Sequence, residues 1–450
     1  MPTAILNDYL RRAIERKDYQ AVRQFLEEFQ AVDLAELLQT VPVDGARELL
    51  MYLPVVQRAS VFGHLPVDWQ SQLTTAMTDK EVSQLLRHLD ADEGADLLHV
   101  LPEHRHDRVL RKIAHAEREA LRRLASYEEG TAGAIMTSDY MTVPAKITVG
   151  EALDVIRKSA PSAELIYQIY TVDAQYRLIG TLSLRELIMN KPEAQIKDVI
   201  TTDMVKTKLS AKQEDAAKLI SRYDLLSLPV VDDDERLVGI ITYDDAMDVA
   251  EAEATEDMHR GATIGPLAGN FRDARLFTLY RKRILWLLLL VFGNLISGAG
   301  IAYYEDTIAA YVVLVFFLPL LIGSGGNAGS QAATLVVRGI ATGDVAISDW
   351  GKLLLKEIAV ASGLGLTMAA TVSLLGVYRG GFDIAWVVAL SMICIVMIGS
   401  LVGLCLPFIL NRLGWDPATA SAPLVTTIAD ASGVLIYFWI ANWILHLPAP

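Results

Sequence analysis

The chain has 450 residues, 52% of them hydrophobic, and a formal net charge of −14 at pH 7. This length allows several domains. The negative charge argues against nucleic acid as a partner and makes cations the expected ones.

Residues 1–130 are predicted to form an all-α superhelical domain. Residues 1–18 are typical of an amphipathic soluble helix and not of a signal peptide. Proline starts or ends a helix rather than continuing it, so recurring Val-Pro and Leu-Pro steps predict short stacked helices. The steps lie at 41–42, 53–54, 65–66 and 101–102. An acidic cluster in this part, taken alone, is interpreted as a solvated face; it comprises Asp90, Asp92, Glu93 and Asp96.

Residues 131–250 contain an internal duplication. VDAQYRLIGTLSLRELI (172–188) aligns with VDDDERLVGIITYDDAM (231–247) at an offset of 59. The copies, at about 137–190 and 200–250, each predict a β-α-β-β-α unit. Capping boxes are predicted to open the helices, at Thr148-x-x-Glu151, Ser183-x-x-Glu186, Ser210-x-x-Gln213 and Thr242-x-x-Asp245. The duplication resembles a tandem pair of CBS motifs, α/β regulatory modules that often bind adenosine nucleotides and dimerise.

The last helix of the second copy is predicted to run on into an acidic linker or plug at 251–280. Its sequence DDAMDVAEAEATEDM (244–258) holds seven carboxylates and no Lys or Arg. One interpretation is an exposed charged linker, the usual reading of a charge run. The other is a cation-binding helix, because like charges repel by about 1 kcal/mol per pair in water. Mg²⁺, which takes carboxylate and water oxygens, is the counter-ion that fits.

Residues 281–450 are predicted to form an α-helical membrane domain. Five apolar stretches approach or exceed the roughly 20 residues that span a bilayer, at about 284–302, 308–337, 353–377, 384–410 and 422–446. Eight basic and eight acidic residues balance from 281 onward, so the earlier part carries the whole negative charge. The basic residues place residues 1–283 in the cytoplasm and the C-terminus outside. Cys394 and Cys405 lie about 16.5 Å apart along one predicted helix, too far for a disulfide within the chain.

Two membrane stretches carry polar motifs. GSGGNAGSQAATL (323–335) follows Pro319 and is too polar to face lipid. It either packs small residues against other helices or lines a wet cavity. PLVTTIADASG (423–433) contains Asp430, the one acidic residue deep inside a predicted span. A carboxylate there costs roughly 2.5 kcal/mol or more, so its counter-charge is a transported cation or a proton. The alternative is a protonated Asp bonded to a neighbouring Ser or Thr.

The order of these parts resembles the MgtE family of bacterial Mg²⁺ channels. DVAEAEATEDMH (248–259) and the two membrane motifs carry the resemblance, which covers nearly the whole chain. It implies a homodimer in the plasma (inner) membrane, with a pore at the subunit interface lined by the second and fifth spans. It implies pore roles for the Asp430 carboxylate, the Thr426 carbonyl, Ser330 and Thr334.

The resemblance also implies regulatory Mg²⁺ sites and ATP binding on the CBS pair. The implied regulatory ligands are Asp92, Asp96, the Gly133 carbonyl, Glu214, Asp224, Asp245, Asp248, Glu253, Glu256, Asp257 and Asp416. The chain departs from the family pattern at three positions. Ser330 stands where Asn is common, Ala422 stands where a polar residue is frequent, and Lys212 replaces an acidic residue.

The sequence therefore predicts a Mg²⁺-selective channel that cytosolic Mg²⁺ closes by binding between the helical domain, the CBS pair and the plug. A dication gains about 4.6 kcal/mol per 100 mV of inside-negative potential, so uptake needs no pump. The alternatives are a CBS-regulated carrier that couples another divalent metal to protons through Asp430, and a membrane-tethered sensor or enzyme. The sequence holds no HExxH, Walker A or G-x-S-x-G motif, and no catalytic residue is predicted.

Overall fold

The computed structural model describes residues 29–159, 163, 165–265, 275–420 and 422–446. The chain divides into two compact units, Met1–Glu253 and Ala254–Pro450. The helix predicted for residues 1–18 lies outside the described residues.

Short helices build the first part of the chain. Each contacts the helix two places further on, so the helices stack in an array around one buried leucine-rich core. Pro42, Pro54, Pro66 and Pro102 each come directly before a helix, which confirms that the proline steps start helices. The helices are α1 (Ala31–Leu38), α2 (Val43–Tyr52), α3 (Val55–Gly63), α4 (Val67–Ala76), α5 (Asp79–Leu86), α6 (Ala91–Val100), α7 (Glu103–Leu110) and α8 (His115–Leu124).

A buried arginine joins two of these helices. The guanidinium of Arg58 donates to the carbonyl oxygens of Leu50 at 2.9 Å and of Leu53 at 3.0 Å. The last carbonyls of a helix have no partner within it, so this side chain satisfies the end of α2. A short helix can then end inside the domain without leaving buried polar atoms unpaired.

The duplicated part forms two matching three-stranded sheets. In each, the first strand pairs parallel with the second and the second antiparallel with the third. The first copy comprises β1 (Tyr140–Pro144), α9 (Val149–Ser159), β2 (Leu165–Val172), β3 (Leu178–Ser183) and α10 (Leu184–Met189). The second comprises β4 (Thr207–Lys208), α11 (Gln213–Tyr223), β5 (Ser227–Val231), β6 (Leu237–Thr242) and α12 (Tyr243–Gly261).

The turns repeat as closely as the strands do. The carboxylates of Asp173 and Asp232 accept hydrogen bonds from backbone N–H groups two and four residues later, at 2.8 to 2.9 Å. Tyr176 and Glu235, three residues after each Asp, have φ angles of 65° and 64°. The Asp side chains hold these left-handed turns, and the duplication therefore extends to the backbone conformation.

One predicted helix start is wrong. The hydrogen-bonded capping boxes at Thr148 and Ser183 are present, but α11 begins at Gln213 with Lys212 as its N-cap, and Ser210 precedes the helix. The Ala211 carbonyl accepts from the Ala132 N–H at 2.7 Å. Because this carbonyl is bonded to Ala132, it does not accept a hydrogen bond within the helix, and α11 begins two residues later, at Gln213.

In the part of the chain that the structure describes, four helices are long and apolar enough to cross a membrane. They are α13 (Leu276–Tyr303), α15 (Val313–Thr342), α16 (Trp350–Arg412) and α17 (Ala422–Ile444), with the short α14 (Glu305–Ala310) between the first two. The sequence predicted five spans; two of the five apolar stretches lie in α16, which is 63 residues long.

Helix α16 is broken at Gly381, whose φ of 80° and ψ of −172° are not helical. A side chain is rarely tolerated in that conformation. The two arms fold back on each other. A Cβ atom placed on Gly376 would lie 2.7 Å from the Ala385 Cα, and one on Gly365 would lie 3.1 Å from the Ile393 Cα. The arms therefore run antiparallel in close contact.

Candidate ion pathway and regulatory sites

Helix α15 has two unlike faces along its glycine-rich motif. Small residues are buried on one face, at Gly325, Gly326, Ala328, Gly329, Ala332 and Ala333. Gly323, Asn327, Gln331 and Thr334 are exposed on the other, with Ser330 half-buried beside them. These positions recur every three to four residues and form one stripe. An exposed polar stripe on a spanning helix needs a wet cavity or another protein surface.

The buried face of α15 packs against the second arm of α16. A Cβ atom on Gly329 would lie 2.6 Å from the Gly399 carbonyl oxygen and 2.8 Å from Val425 Cγ1. No real Cβ fits at those distances, so the two backbones touch directly. The sequence left small-residue packing and cavity lining as alternatives for this motif. The buried face packs small residues against α16, and the exposed polar face is available to line a cavity.

Asp430 and Thr426 of α17 meet α15 at Gly326. A Cβ atom there would lie 3.0 Å from Thr426 Cγ2 and 3.6 Å from Asp430 Oδ1. Asn327, the next residue, begins the exposed polar stripe of α15. The glycine leaves room for the carboxylate to approach α15, so the two motifs singled out in the sequence converge here.

The Asp430 carboxylate is half-buried. Across the described residues, it makes no hydrogen bond or ion pair. The hydroxyls of Thr426 and Thr427 both donate to the Pro423 carbonyl, at 2.9 and 2.8 Å. The alternative of an Asp bonded to a neighbouring hydroxyl is therefore not seen among the described residues. A half-buried carboxylate that these residues leave without a partner is the chemistry that suits a hydrated cation.

In the first unit, acidic residues of α6 lie near the start of α12. Burial raises the pKa of Glu93 to about 7, with Asp90 and Asp245 adding to the shift. Burial likewise raises the pKa of Asp245 to about 6, against a hydrogen bond from Thr242 that lowers it. The interpretation of this cluster as merely a solvated face is therefore wrong for Glu93, because the carboxylate is half-buried among like charges.

Other residues that were predicted to bind regulatory Mg²⁺ differ from one another in burial and in backbone conformation. Asp92 is half-buried in α6, whereas Asp96 and Asp248 are exposed. The buried Gly133 donates its N–H to the Leu209 carbonyl at 3.1 Å, and Asp224 caps α11 in a left-handed conformation with φ 51°.

Two of these carboxylates bind neighbours on their own chain. Lys218 Nζ donates to Glu214 Oε1 at 2.6 Å. Gln213 Nε2 donates to Glu253 Oε1 at 3.4 Å.

In the second unit, one arginine contacts two predicted metal ligands. Arg260, near the end of α12, pairs with Glu256 one turn earlier on the same helix and with Asp416, which precedes α17. The Asp416 carboxylate also accepts from the Ala418 N–H at 2.8 Å. Asp257, beside Glu256, is half-buried. The cation next to Glu256 and Asp416 is therefore a guanidinium supplied by the chain.

Within the described ranges, no group of three or more His, Cys, Asp or Glu side chains is arranged to hold a metal ion. Mg²⁺ often binds through one or two carboxylates and keeps several waters. The crowding of Glu93 and Asp245 fits such an ion, because a dication would relieve their repulsion. Glu256 and Asp416 fit it less well, since Arg260 already pairs with both carboxylates.

Sequence reasoning identified Asn327 and Gln331 as too polar to face lipid, but it did not separate the two faces of their helix. Helical spacing could have separated this polar stripe from the packing face at Gly326. Arg260 was not among the predicted site residues. It lies two residues beyond the acidic run 244–258 and four residues after Glu256. An i,i+4 pairing rule could have found that contact.

Comparison with known families covers most of the chain. A family described as "MgtE: Divalent cation transporter" matches residues 318–440. The MgtE intracellular N domain matches residues 29–130. The CBS domain matches residues 132–192 and 196–252.

Individual proteins match over similar lengths. The chain is 38% identical to the magnesium transporter MgtE of Thermus thermophilus, over 97% of this chain and 98% of that protein. It is 32% identical to the magnesium transporter MgtE of Bacillus subtilis, over 94% of each. A crystal structure of the cytosolic domain of the Mg²⁺ channel MgtE in complex with ATP is also similar. It has a TM-score of 0.51 and 35% identity, covering 53% of this chain and 98% of that one.

Proposed function

This chain belongs to the MgtE family, and from that premise we propose that it is a Mg²⁺-selective channel for magnesium uptake. The relatives that match nearly the whole chain are magnesium transporters, and magnesium is the transported ion. The pore mechanism and its gating are the parts that we propose.

The observation that supports a pore is the meeting of α15 and α17 at Gly326. It sets the half-buried Asp430 carboxylate beside the polar stripe that starts at Asn327. Mg²⁺ gives up its water reluctantly, so Asp430 would grip the hydrated ion through water. The side-chain amides of Asn327 and Gln331 and the hydroxyl of Thr334, which are exposed, would hydrogen-bond the same water shell as the ion moves along α15. The Ser330 hydroxyl is buried on the single chain and would reach the water only after a side-chain rotation.

A second copy of the chain would complete this pathway. The polar stripe of α15 is exposed on a single chain, and two such stripes facing each other would enclose a wet channel. We propose that each arm of α16 crosses the membrane, which makes five crossings and leaves the C-terminus outside. The cytosolic parts and the membrane domain would then belong to a homodimer in the plasma membrane.

Closure would follow the binding of cytosolic Mg²⁺ to carboxylates of the helical domain, the CBS pair and the plug. Sites of about millimolar affinity each supply only roughly 4 kcal/mol, so several act together. Glu93 and Asp245 support this view, because burial, and to a smaller extent nearby carboxylates, raises their pKa values, and a dication would favour their charged forms. ATP on the CBS pair would modulate it, as the crystallised relative with bound ATP suggests.

The experiment that tests the pore is Mg²⁺ uptake into liposomes that contain the purified protein. Asp430→Asn keeps the shape of the side chain and removes its charge, and uptake should fall to the level of empty liposomes. Asp383→Asn, which alters an exposed Asp just after the break in α16, is the matched control and should transport normally. Normal uptake by Asp430→Asn would contradict the proposed pore.

A further inference from the structure

Arg260 forms ion pairs with carboxylates on two different elements of the second unit. Its guanidinium contacts Glu256, on α12, and Asp416, in the loop between α16 and α17. The side chains of Glu256, Arg260 and Asp416 are 31%, 36% and 33% exposed. We call these three residues the linker triad.

Both ends of the triad are positioned by further contacts. Asp416 accepts from the Ala418 N–H at 2.8 Å, which orients its carboxylate at the turn before α17. Past the end of α12, the Gly265 N–H donates to the Lys282 carbonyl at 3.2 Å. The end of α12 is therefore joined to the loop before α17 by the Arg260–Asp416 ion pair, and the residues after it are joined to α13 by a backbone hydrogen bond.

The charge balance explains what Arg260 does. Without it, Glu256 and Asp416 would be two like charges that repel. The guanidinium belongs to the chain itself, so this counter-charge is present whether or not Mg²⁺ is bound. The planar guanidinium can also donate to both carboxylates at once.

We propose that Arg260 is a built-in counter-cation that holds the end of the plug helix on the loop before α17 in the absence of Mg²⁺. Mg²⁺ then has fewer carboxylates to neutralise, and the channel closes at lower cytosolic Mg²⁺ than it would without the arginine. The effect on closure rests on the proposed channel function; the effect on the helix end does not.

The test therefore uses two readouts on the full-length protein. The first is hydrogen exchange of residues 254–265 in detergent with a chelator present, which does not depend on transport. Arg260→Gln should raise the exchange rate there about two- to fivefold, the effect expected of a partly exposed ion pair. Saturating Mg²⁺ should remove most of that difference.

The second readout is the internal Mg²⁺ concentration that half-closes the channel in patch-clamp recordings. Arg260→Gln should raise it by about two- to fivefold. Arg260→Lys keeps the charge and should shift it less. Arg236→Gln removes a half-exposed arginine of the CBS pair that contacts Asp234 at 3.5 Å, and should shift neither readout.

A double variant separates the ion pair from other effects of Arg260. In an Asp416→Asn background the Arg260–Asp416 pair is already lost and only the pair with Glu256 on the same helix remains, so Arg260→Gln should add little to the exchange rate. Unchanged exchange and unchanged closure in Arg260→Gln would overturn the proposal. So would closure at lower Mg²⁺, since Arg260 would then compete with the ion instead of replacing it. If Arg260→Gln speeds hydrogen exchange but the wild-type protein does not conduct Mg²⁺, the contact between the end of α12 and the loop before α17 is upheld and only the channel function is refuted.

Discussion

Replacing Gly329 by alanine should force α15 away from α16. The added methyl carbon would lie 2.6 Å from the Gly399 carbonyl oxygen, whereas such carbon–oxygen contacts normally measure about 3.3 Å or more. The atom it meets is backbone, so it cannot rotate away. One helix must therefore move by about 0.7 Å, at the level where α15 contacts the pore motif of α17.

Overpacking of this kind typically costs about 1–3 kcal/mol. For a unit of this size that corresponds to a melting temperature lower by about 2 to 12 °C. Mg²⁺ uptake should also fall, because the shift moves the polar stripe relative to Asp430. The assays are thermal unfolding of the purified protein in detergent and uptake into liposomes.

The matched control is Gly363→Ala. Gly363 also lies inside a membrane helix, but a Cβ atom there would meet nothing within 4 Å. Alanine improves helix propensity over glycine by up to about 1 kcal/mol, so this variant should be as stable as the parent or more so. If Gly329→Ala melts no lower than Gly363→Ala and transports normally, the reasoning from direct backbone contact is refuted.

Two further predictions follow from buried polar groups. Burial raises the pKa of Glu93 from 4.5 to about 7. Between those pH values the folded cytosolic unit therefore binds more protons than the unfolded chain. Its free energy of unfolding should fall as the pH rises from about 4.5 to 7. Calorimetry of Glu93→Gln should show a flatter pH dependence, and an unchanged slope would contradict the assignment. The Tyr437 hydroxyl donates to the Leu314 carbonyl at 2.9 Å inside the buried core of the second unit. Tyr437→Phe should lower the free energy of unfolding by about 1–2 kcal/mol and the melting temperature by about 2 to 8 °C, without abolishing uptake. Tyr378→Phe, at a side chain that is 85% exposed, should change neither the melting temperature nor uptake.

Local signals in the sequence predicted most of the cytosolic fold. The proline steps start helices, and the turns at Asp173 and Asp232 repeat because the same side chain holds the same backbone conformation. Such features depend on neighbours a few residues away. The start of α11 did not follow from them, because the Ala211 carbonyl bonds to Ala132, far away in sequence.

The candidate site was predictable in its residue types and not in its pairings. Asp430 stands out because a carboxylate inside an apolar stretch is costly. That it meets α15 at Gly326 depends on how two distant helices pack, which hydropathy does not encode. The contact of Arg260 with Asp416 spans more than 150 residues. Charge counts over a short window cannot reveal such a pair.

Single-channel recording tests the central claim most directly. The purified wild-type protein would be placed in a planar bilayer with Mg²⁺ as the only permeant cation, and the Mg²⁺ concentration on the cytosolic side would be varied. The account predicts unitary Mg²⁺ currents whose open probability falls as cytosolic Mg²⁺ rises, and no such currents from Asp430→Asn. Magnesium flux without unitary currents, or currents indifferent to cytosolic Mg²⁺, would contradict it.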